Sequence, residues 1–345
     1  MSHHGFAQKH LINRSFISYL LYPASNFYAG YMRFRRKFLF RAPYRAKFKV
    51  VSIGNLTSGG SGKSPIAIAL AKELRERGLK VAYSSRGYRS ALEEGATLIY
   101  DANGFCVPLQ SAGDEAVMVA RALQDVPVFC GRDRSGVLAL AEKLYPDLDL
   151  MILDDAFQHL KVARDLDLVV FDARIGLGNG FTIPAGYLRE DLSALGANCL
   201  NILHQKPLEQ PNPQLEQTLL SLATPLYRAT SSSAEITKGS VVIDVESIKG
   251  KGIALVSAIA QPESFENSVR EQGIEFVRHH IFNDHHSFTD AKSIALLQND
   301  PARYLICTAK DAPKLEPILG DRLLTLGMKT QLDPALIGRV LQLFS

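Results

Sequence analysis

Apolar positions along the chain follow two alternating periods. Short runs rich in β-branched residues recur at 50–53, 80–85, 126–130, 148–153 and 166–171, and stretches with helical spacing, such as Ile66 to Leu74 and Ala116 to Leu123, lie between them. Buried-looking strands alternating with helices predict an α/β fold built on a doubly wound, mostly parallel sheet. A second α/β pattern follows, with strands at 253–257, 276–282 and 304–308, helices near 263–271 and 290–298, and a last helix after Asp333. Between the two patterns the texture changes. Pro207, Pro211, Pro213, the run Ser231 to Ser233 and a short β-like piece at 241–245 read as a linker region. The expected division is residues 1–48 as an N-terminal segment, 49–205 as a core domain, 206–250 as linker and 251–345 as a smaller α/β domain. A chain of 345 residues with 46% apolar content can fill two such cores.

The N-terminal segment has its own pattern. Leu11 to Tyr22 is apolar and aromatic but is interrupted by Asn13, Arg14 and Ser18 and stops at Pro23, short of the roughly 18 residues a membrane span needs. Beyond it Phe27, Tyr31, Phe34 and Phe38 are spaced 4-3-4, which stripes one face of a helix. Arg33, Arg35, Arg36, Lys37 and Arg41 are interleaved with the stripe. Charge sharpens the picture, because residues 1–50 hold ten Lys or Arg and no acid, while the net charge of the whole chain is only +4. The basic excess is therefore local. An aromatic stripe at helical spacing can face a core; flanked by cations with no acid to pair them, it equally fits an amphipathic helix resting on an anionic membrane surface. The membrane-surface helix is the expectation, and general nucleic-acid affinity is not expected. Cys106, Cys130, Cys199 and Cys307 are far apart with no C-x-x-C pair, which argues against a zinc site or disulfide framework and for a reducing compartment.

Candidate chemistry concentrates at the ends of strands. The stretch VVSIGNLTSGGSGKSP, residues 50–65, reads as strand, glycine-rich loop and helix start. In such a loop Thr57, Ser58, Gly59, Gly60, Ser61 and Gly62 bring backbone N–H groups onto phosphate oxygens, Lys63 reaches the outer phosphates, and Ser64 offers a hydroxyl to Mg²⁺. Thr57 stands where the strict G-x-x-x-x-G-K-[ST] pattern has glycine. About 90 residues on, an apolar strand ends in Asp154-Asp155, the pattern of an acid pair that holds Mg²⁺. Asp114 and Glu115, taken alone, read as acids at a helix N-terminus. The turn Asn283-Asp-His-His286 follows a strand and places a carboxylate where it can orient an imidazole. Thr308-Ala-Lys-Asp311 lacks the [NT]-K-x-D spacing that reads guanine.

In this order, GNLTSGGSGKSP, SRGY (85–88), GDE (113–115), DDAFQH (154–159), GNG with PAGYLRE (178–190), AIAQPESF (258–265), NDHH (283–286) and TAKDAPK (308–314) make the chain resemble the tetraacyldisaccharide 4′-kinase family of lipid A synthesis. Ala156 and Ala258 stand where that family usually has Gly, and Ala309 where Glu is common. The resemblance implies transfer of the ATP γ-phosphate to the 4′-hydroxyl of a tetraacylated glucosamine disaccharide 1-phosphate, by a peripheral protein on the cytoplasmic face of the bacterial inner membrane. It implies that Asp114 is the base, tuned by His285 or alternatively His286, that Lys63 clamps the β- and γ-phosphates, and that Ser64 with one or both of Asp154 and Asp155 holds Mg²⁺, assisted by Glu115. Arg86 and Arg189 are candidate phosphate contacts. Two other readings share these parts: a membrane-tethered nucleotide switch or ATPase acting on a protein partner, and a kinase of a soluble metabolite, which leaves the N-terminal stripe without a role.

Overall fold

The computed structural model describes residues 11–39, 42–59, 62–87 and 92–345. Gly60 and Ser61 of the glycine-rich loop, Tyr88 and Arg41 lie outside the described residues. Helix α1 spans Phe16–Phe34, opened by a capping box in which Ser15 and Ser18 each accept from the other's backbone N–H. It runs through Pro23 and so joins the two N-terminal stretches into one element. Strand β1 (Lys49–Gly54) leads into α2 (Lys63–Glu76), followed by β2 (Val81–Ser85), a hairpin of β3 (Thr97–Asp101) and β4 (Gly104–Phe105), and α3 (Asp114–Ala122). Then come β5 (Val128–Cys130), α4 (Arg134–Leu144), β6 (Leu150–Asp154), β7 (Leu166–Asp172), β8 (Cys199–Gln205) and α5 (Pro213–Leu220).

The segment read as a linker contains the longest strand, β9 (Leu226–Lys238), with β10 (Val241–Ile243) folded back on it. The remaining elements are β11 (Ile253–Ser257), α6 (Pro262–Glu271), β12 (Arg278–Ile281), α7 (Ala291–Gln298), β13 (Tyr304–Thr308), α8 (Ala312–Leu319), β14 (Leu323–Leu332) and α9 (Pro334–Leu341). Among the described residues these strands form a single sheet in the order β12-β11-β13-β14-β9-β8-β7-β1-β6-β2-β5-β3-β4. From β8 to β5 neighbouring strands are parallel, as they are from β12 to β14. The junction is the antiparallel pair β9 and β14, in register from Thr325↔Thr237 to Leu332↔Ala229 with one irregularity between Leu326 and Met328. Two parallel sets of opposite sense thus share one hydrogen-bonded sheet.

Helices cover both faces. On one face Ile66, Ala67, Leu70, Ala71 and Leu74 of α2 recur at helical spacing and are fully buried against Val51, Ile53 and Ile152. Each Leu or Ile buried this way contributes about 1.5–3 kcal/mol. Leu336, Ile337 and Val340 of α9 join the same core together with Leu332 of β14, so the last helix packs against elements from the first half of the chain. Separate cores flank the β11–β13 strands, centred on Val256, Leu305 and Leu315 on one face and on Leu255, Phe265 and Ile306 on the other.

Candidate active site

Strand β1 is hydrogen-bonded on one side to β6 and on the other to β7, so Gly54, Asp154 and Asp172 all come to the same C-terminal edge. Ligands in open α/β sheets bind at this edge. The loop leaving β1 is pinned from the 178–190 segment: the Ser58 N–H donates to the Tyr187 carbonyl at 2.8 Å, and Thr57, which is buried, pairs with Leu188. Thr57 Oγ1 also accepts from Asn55 Nδ2 at 3.0 Å, so the departure from glycine at this position is absorbed by a tertiary contact. Gly62 is different. It caps α2 at φ +78°, and a Cβ there would meet the His204 ring at 2.3 Å, so both conformation and space require glycine.

Lys63 is the first residue of α2, with Nζ 3.3 Å from Asn55 Oδ1 and 3.3 Å from Asp155. Ser64 Oγ donates to Asp154 Oδ2 at 3.2 Å. The two acids are not equivalent. Asp154 is buried; the Tyr83 hydroxyl donates to its Oδ2 at 2.7 Å, and the fully buried Arg134 donates to its carbonyl at 2.6 Å and to Ser84 Oγ at 2.8 Å. Burial raises the Asp154 carboxyl above the usual value against the opposing charge of Lys63. Asp155, at φ +49°, is paired instead with Lys63 at 3.3 Å and Arg189 at 3.2 Å. Burial would raise it too, but Lys63 and Arg189 override this and hold it well below the usual range. Glu115 is pushed up by burial and then by the charge of Asp154, against the charges of Lys310, Lys63 and His285. Ser64 and Asp154 are oxygen donors at hydrogen-bond separation, with the Glu115 carboxyl in their field. This donor set suits Mg²⁺, which takes one or two carboxylates and completes its shell with phosphate and water. Among the described residues no cluster of three or more His, Cys, Asp or Glu forms a self-sufficient metal cage.

The opposite wall joins Asp114 to residues from the second half of the chain. Asp114 opens α3 immediately after Gly113, whose φ is +81°. Its Oδ2 accepts from Lys314 Nζ at 2.9 Å and lies 3.5 Å from His285 Nδ1. His285, itself at φ +64°, has its Nε2 3.3 Å from Lys310 Nζ, which also donates to Asp284 at 2.9 Å. His286 is turned elsewhere: Nδ1 accepts from the Phe288 N–H, and the ring packs on Phe282 and Phe288. Of the two candidate histidines the structure therefore brings His285 to Asp114. Burial works to raise the Asp114 carboxyl, but hydrogen bonds from His285 and Lys314 and the nearby lysine charges outweigh it and leave the group below its usual value. Lys310, Lys314, Tyr83, Arg134 and Asn55 were not singled out from sequence. TAKDAPK carried the two lysines in plain view, without a signal that Lys314 crosses to α3 or that Lys310 meets the 284–285 turn.

The sequence profile described as tetraacyldisaccharide-1-P 4′-kinase matches residues 17–345. The tetraacyldisaccharide 4′-kinase of Pelobacter propionicus is 33% identical over 324 residues, covering 89% of this chain and 86% of its own. The chain belongs to the tetraacyldisaccharide-1-P 4′-kinase family. The Pasteurella multocida member is 35% identical over 306 residues, covering 88% of this chain and 87% of its own. The crystal structure of LpxK from Aquifex aeolicus in complex with ATP has a TM-score of 0.78 at 24% identity, covers 95% of this chain and 100% of that one, and shows the same fold.

For a member of this kinase family, the space beside Asp155 is as informative as the phosphate loop. A cavity of about 350 Å³ lies between α1 and the DDAFQH segment, lined by Tyr28, Arg35, Arg86, His159 and Arg189 together with Asp155. Both arginines expected to meet phosphate thus face one cavity, Arg86 being held by Glu93 at 2.8 Å. Burial and the charge of Arg134 lower His159 to about 4, so it faces the cavity as neutral imidazole. Helix α1 forms the roof. Its Ser25 hydroxyl donates to the Thr182 carbonyl at 2.7 Å, and Arg36 binds Glu190 at 2.9 Å. Arg33 and Arg36 are therefore paired to acids far along the chain, Asp191 and Glu190, although their own segment supplies none. Phe16, Leu20, Phe27 and Phe34 point outward, Phe16 and Phe27 at 83% exposure. Among the described residues no helix is long and apolar enough to cross a membrane.

Proposed function

We propose that this chain transfers the γ-phosphate of ATP to the 4′-hydroxyl of a tetraacylated glucosamine disaccharide 1-phosphate, with the acceptor's acyl chains held at an anionic membrane surface on the cytoplasmic side. The observation that carries this reading is the meeting of two walls: Lys63, Ser64 and Asp154 on one side, and Asp114 with His285 on the other. Family membership and the shared fold with the ATP-bound LpxK support it.

Lys63 has a flexible ammonium at the N-terminus of α2, where helix dipole and loop N–H groups already favour an anion, so it serves the β- and γ-phosphate oxygens. Its resting partner Asp155 keeps it aimed into the site, and Arg189 holds Asp155 in turn. Ser64 and Asp154 would hold Mg²⁺, with Glu115 as a further oxygen donor beside them. When bound, the ion supplies positive charge to the phosphate oxygens. Asp114 accepts the proton of the acceptor hydroxyl as the new O–P bond forms and the bond from the γ-phosphorus to the bridging oxygen breaks to release ADP, and His285 orients the carboxylate and shares the resulting charge. Arg35, Arg86 and Arg189 give the cavity under α1 the charge to bind a phosphorylated sugar, and the outward aromatic face of α1 lies next to it for the acyl chains. A nucleotide switch acting on a protein partner leaves the Asp114–His285 contact without a task.

The test is transfer of labelled phosphate from ATP to tetraacyldisaccharide 1-phosphate in detergent micelles, with Lys63→Ala as control. A labelled lipid that vanishes in the variant supports the reading. Free phosphate without labelled lipid, in conditions where a known kinase of this class works, overturns it.

A further inference from the structure

Lys314 sits on the first turn of α8, about one-sixth exposed, and its ammonium has oxygen neighbours on three elements. Nζ donates to Asp114 Oδ2 at 2.9 Å and to the His286 carbonyl at 2.9 Å, and lies 3.4 Å from Asp311 Oδ1. Two of its three hydrogens go to Asp114 and the His286 carbonyl, while the buried Asp311 Oδ1 has no hydrogen-bond partner among the described residues and interacts with the ammonium by charge at ion-pair distance. Asp311 is fully buried, and its other oxygen accepts from the Ala258 N–H at 3.0 Å and from Thr308 Oγ1 at 2.9 Å. A chain of contacts therefore runs from the ends of β11 and β13 through Asp311 and Lys314 to the carboxylate of Asp114, 200 residues away from Lys314 in sequence.

The same two helices share a second ion pair, Arg121 on α3 with Glu316 on α8 at 2.8 and 3.1 Å. That pair is exposed and touches neither Asp114 nor His285. It holds the helices together without reaching the chemistry, which makes it the natural control.

We propose that Lys314 is a positioning residue for phosphoryl transfer: by holding Asp114 through Oδ2, it fixes the carboxylate against His285 and makes docking of the β11–β13 half a condition for a working base. The inference rests on the role given to Asp114 above. An ammonium on that oxygen beside the His285 contact leaves the carboxylate one orientation instead of several, and a loss of such orientation costs about 10²-fold in rate without weakening substrate binding.

The experiment compares Lys314→Met, Lys314→Arg, Arg121→Met and Asp114→Asn in the full chain, measuring kcat, KM for ATP and for the lipid acceptor, and Tm. The expected result is a fall in kcat of about 30- to 300-fold for Lys314→Met with both KM values within about twofold, recovery of at least tenfold by Lys314→Arg, and kcat within about twofold for Arg121→Met. The proposal fails if Lys314→Met keeps kcat within about threefold, if Arg121→Met loses as much, if Arg restores nothing, or if the loss falls on KM for ATP. Should Lys314→Met not fold, Lys314→Gln is held to the same limits, and if that also unfolds the residue is structural and the proposal falls. Full turnover by Asp114→Asn would remove the role of Asp114 and this inference together, whereas an inactive Asp114→Asn beside an active Lys314→Met would remove this inference alone.

Discussion

The two walls of the site are built by different means. The Lys63 wall is local: β1 and β6 are adjacent strands, Ile53 pairs with Asp154, and Ser64 is in the first turn of the helix that β1 feeds. Backbone register alone places its groups. The Asp114 wall is assembled from afar, by a helix start at 114, a turn at 285 held at positive φ, and two lysines beyond β13. One wall is set by the sheet, the other by the docking of two halves, so damage at a distance should reach the second and spare the first.

The largest expected effect tests the sheet-built wall. Lys63→Ala should lower kcat by about 10³-fold or more, because the charge on the transferring group loses its preorganised cation. Normal thermal unfolding alongside the loss would assign the effect to chemistry.

Next comes Asp114→Asn. It should cost about 10²- to 10⁴-fold in kcat while ATP affinity, measured by calorimetry, stays within about twofold. Weakened ATP binding would mean that the two walls are not separable.

The histidines sharpen the contrast within one turn. His285→Ala should lower kcat about 10- to 100-fold, whereas His286→Ala should leave kcat within about threefold and lower stability by about 1–2 kcal/mol through its lost ring contacts. Steady-state kinetics with urea unfolding of both variants would check this, and equal kinetic losses would contradict the geometry.

The smallest effect lies outside both walls. Phe27→Ser on the exposed face of α1 should weaken flotation with anionic vesicles by about tenfold, given about 1.5 kcal/mol for an aromatic side chain moved out of water. Turnover of a short-chain, micelle-free acceptor should be unchanged, and unchanged flotation would set the membrane role of α1 aside.

What sequence could show follows the same division. Strands 253–257 and 304–308 were readable to the residue, and the acid strand, expected at 148–153, lies at Leu150–Asp154, because buried apolar runs bounded by turn residues leave little choice. Lys63, Ser64 and Asp154 followed, since a loop between a strand and a helix carries its geometry with it. Strand β9 was hidden. Its sequence, LYRATSSSAEITK, is polar and half exposed, and it is a strand because β8 and β14 pair with it on either side. Lys314 was hidden for a related reason: nothing near residue 314 announces a partner at 114, and only tertiary docking creates the pair. The acids that neutralise Arg33 and Arg36 were out of sight for the same cause.

The packing of α9 beside α2 has a consequence for biosynthesis. Ile66 to Leu74 belong to a core that also needs β14 and residues 334–341. At about 5–20 residues per second, a ribosome makes the covering helix roughly 15–50 s after α2 itself has been polymerised. During that interval the part of this core that β14 and residues 334–341 complete lacks its cover, so the nascent polypeptide offers an apolar stripe to chaperones.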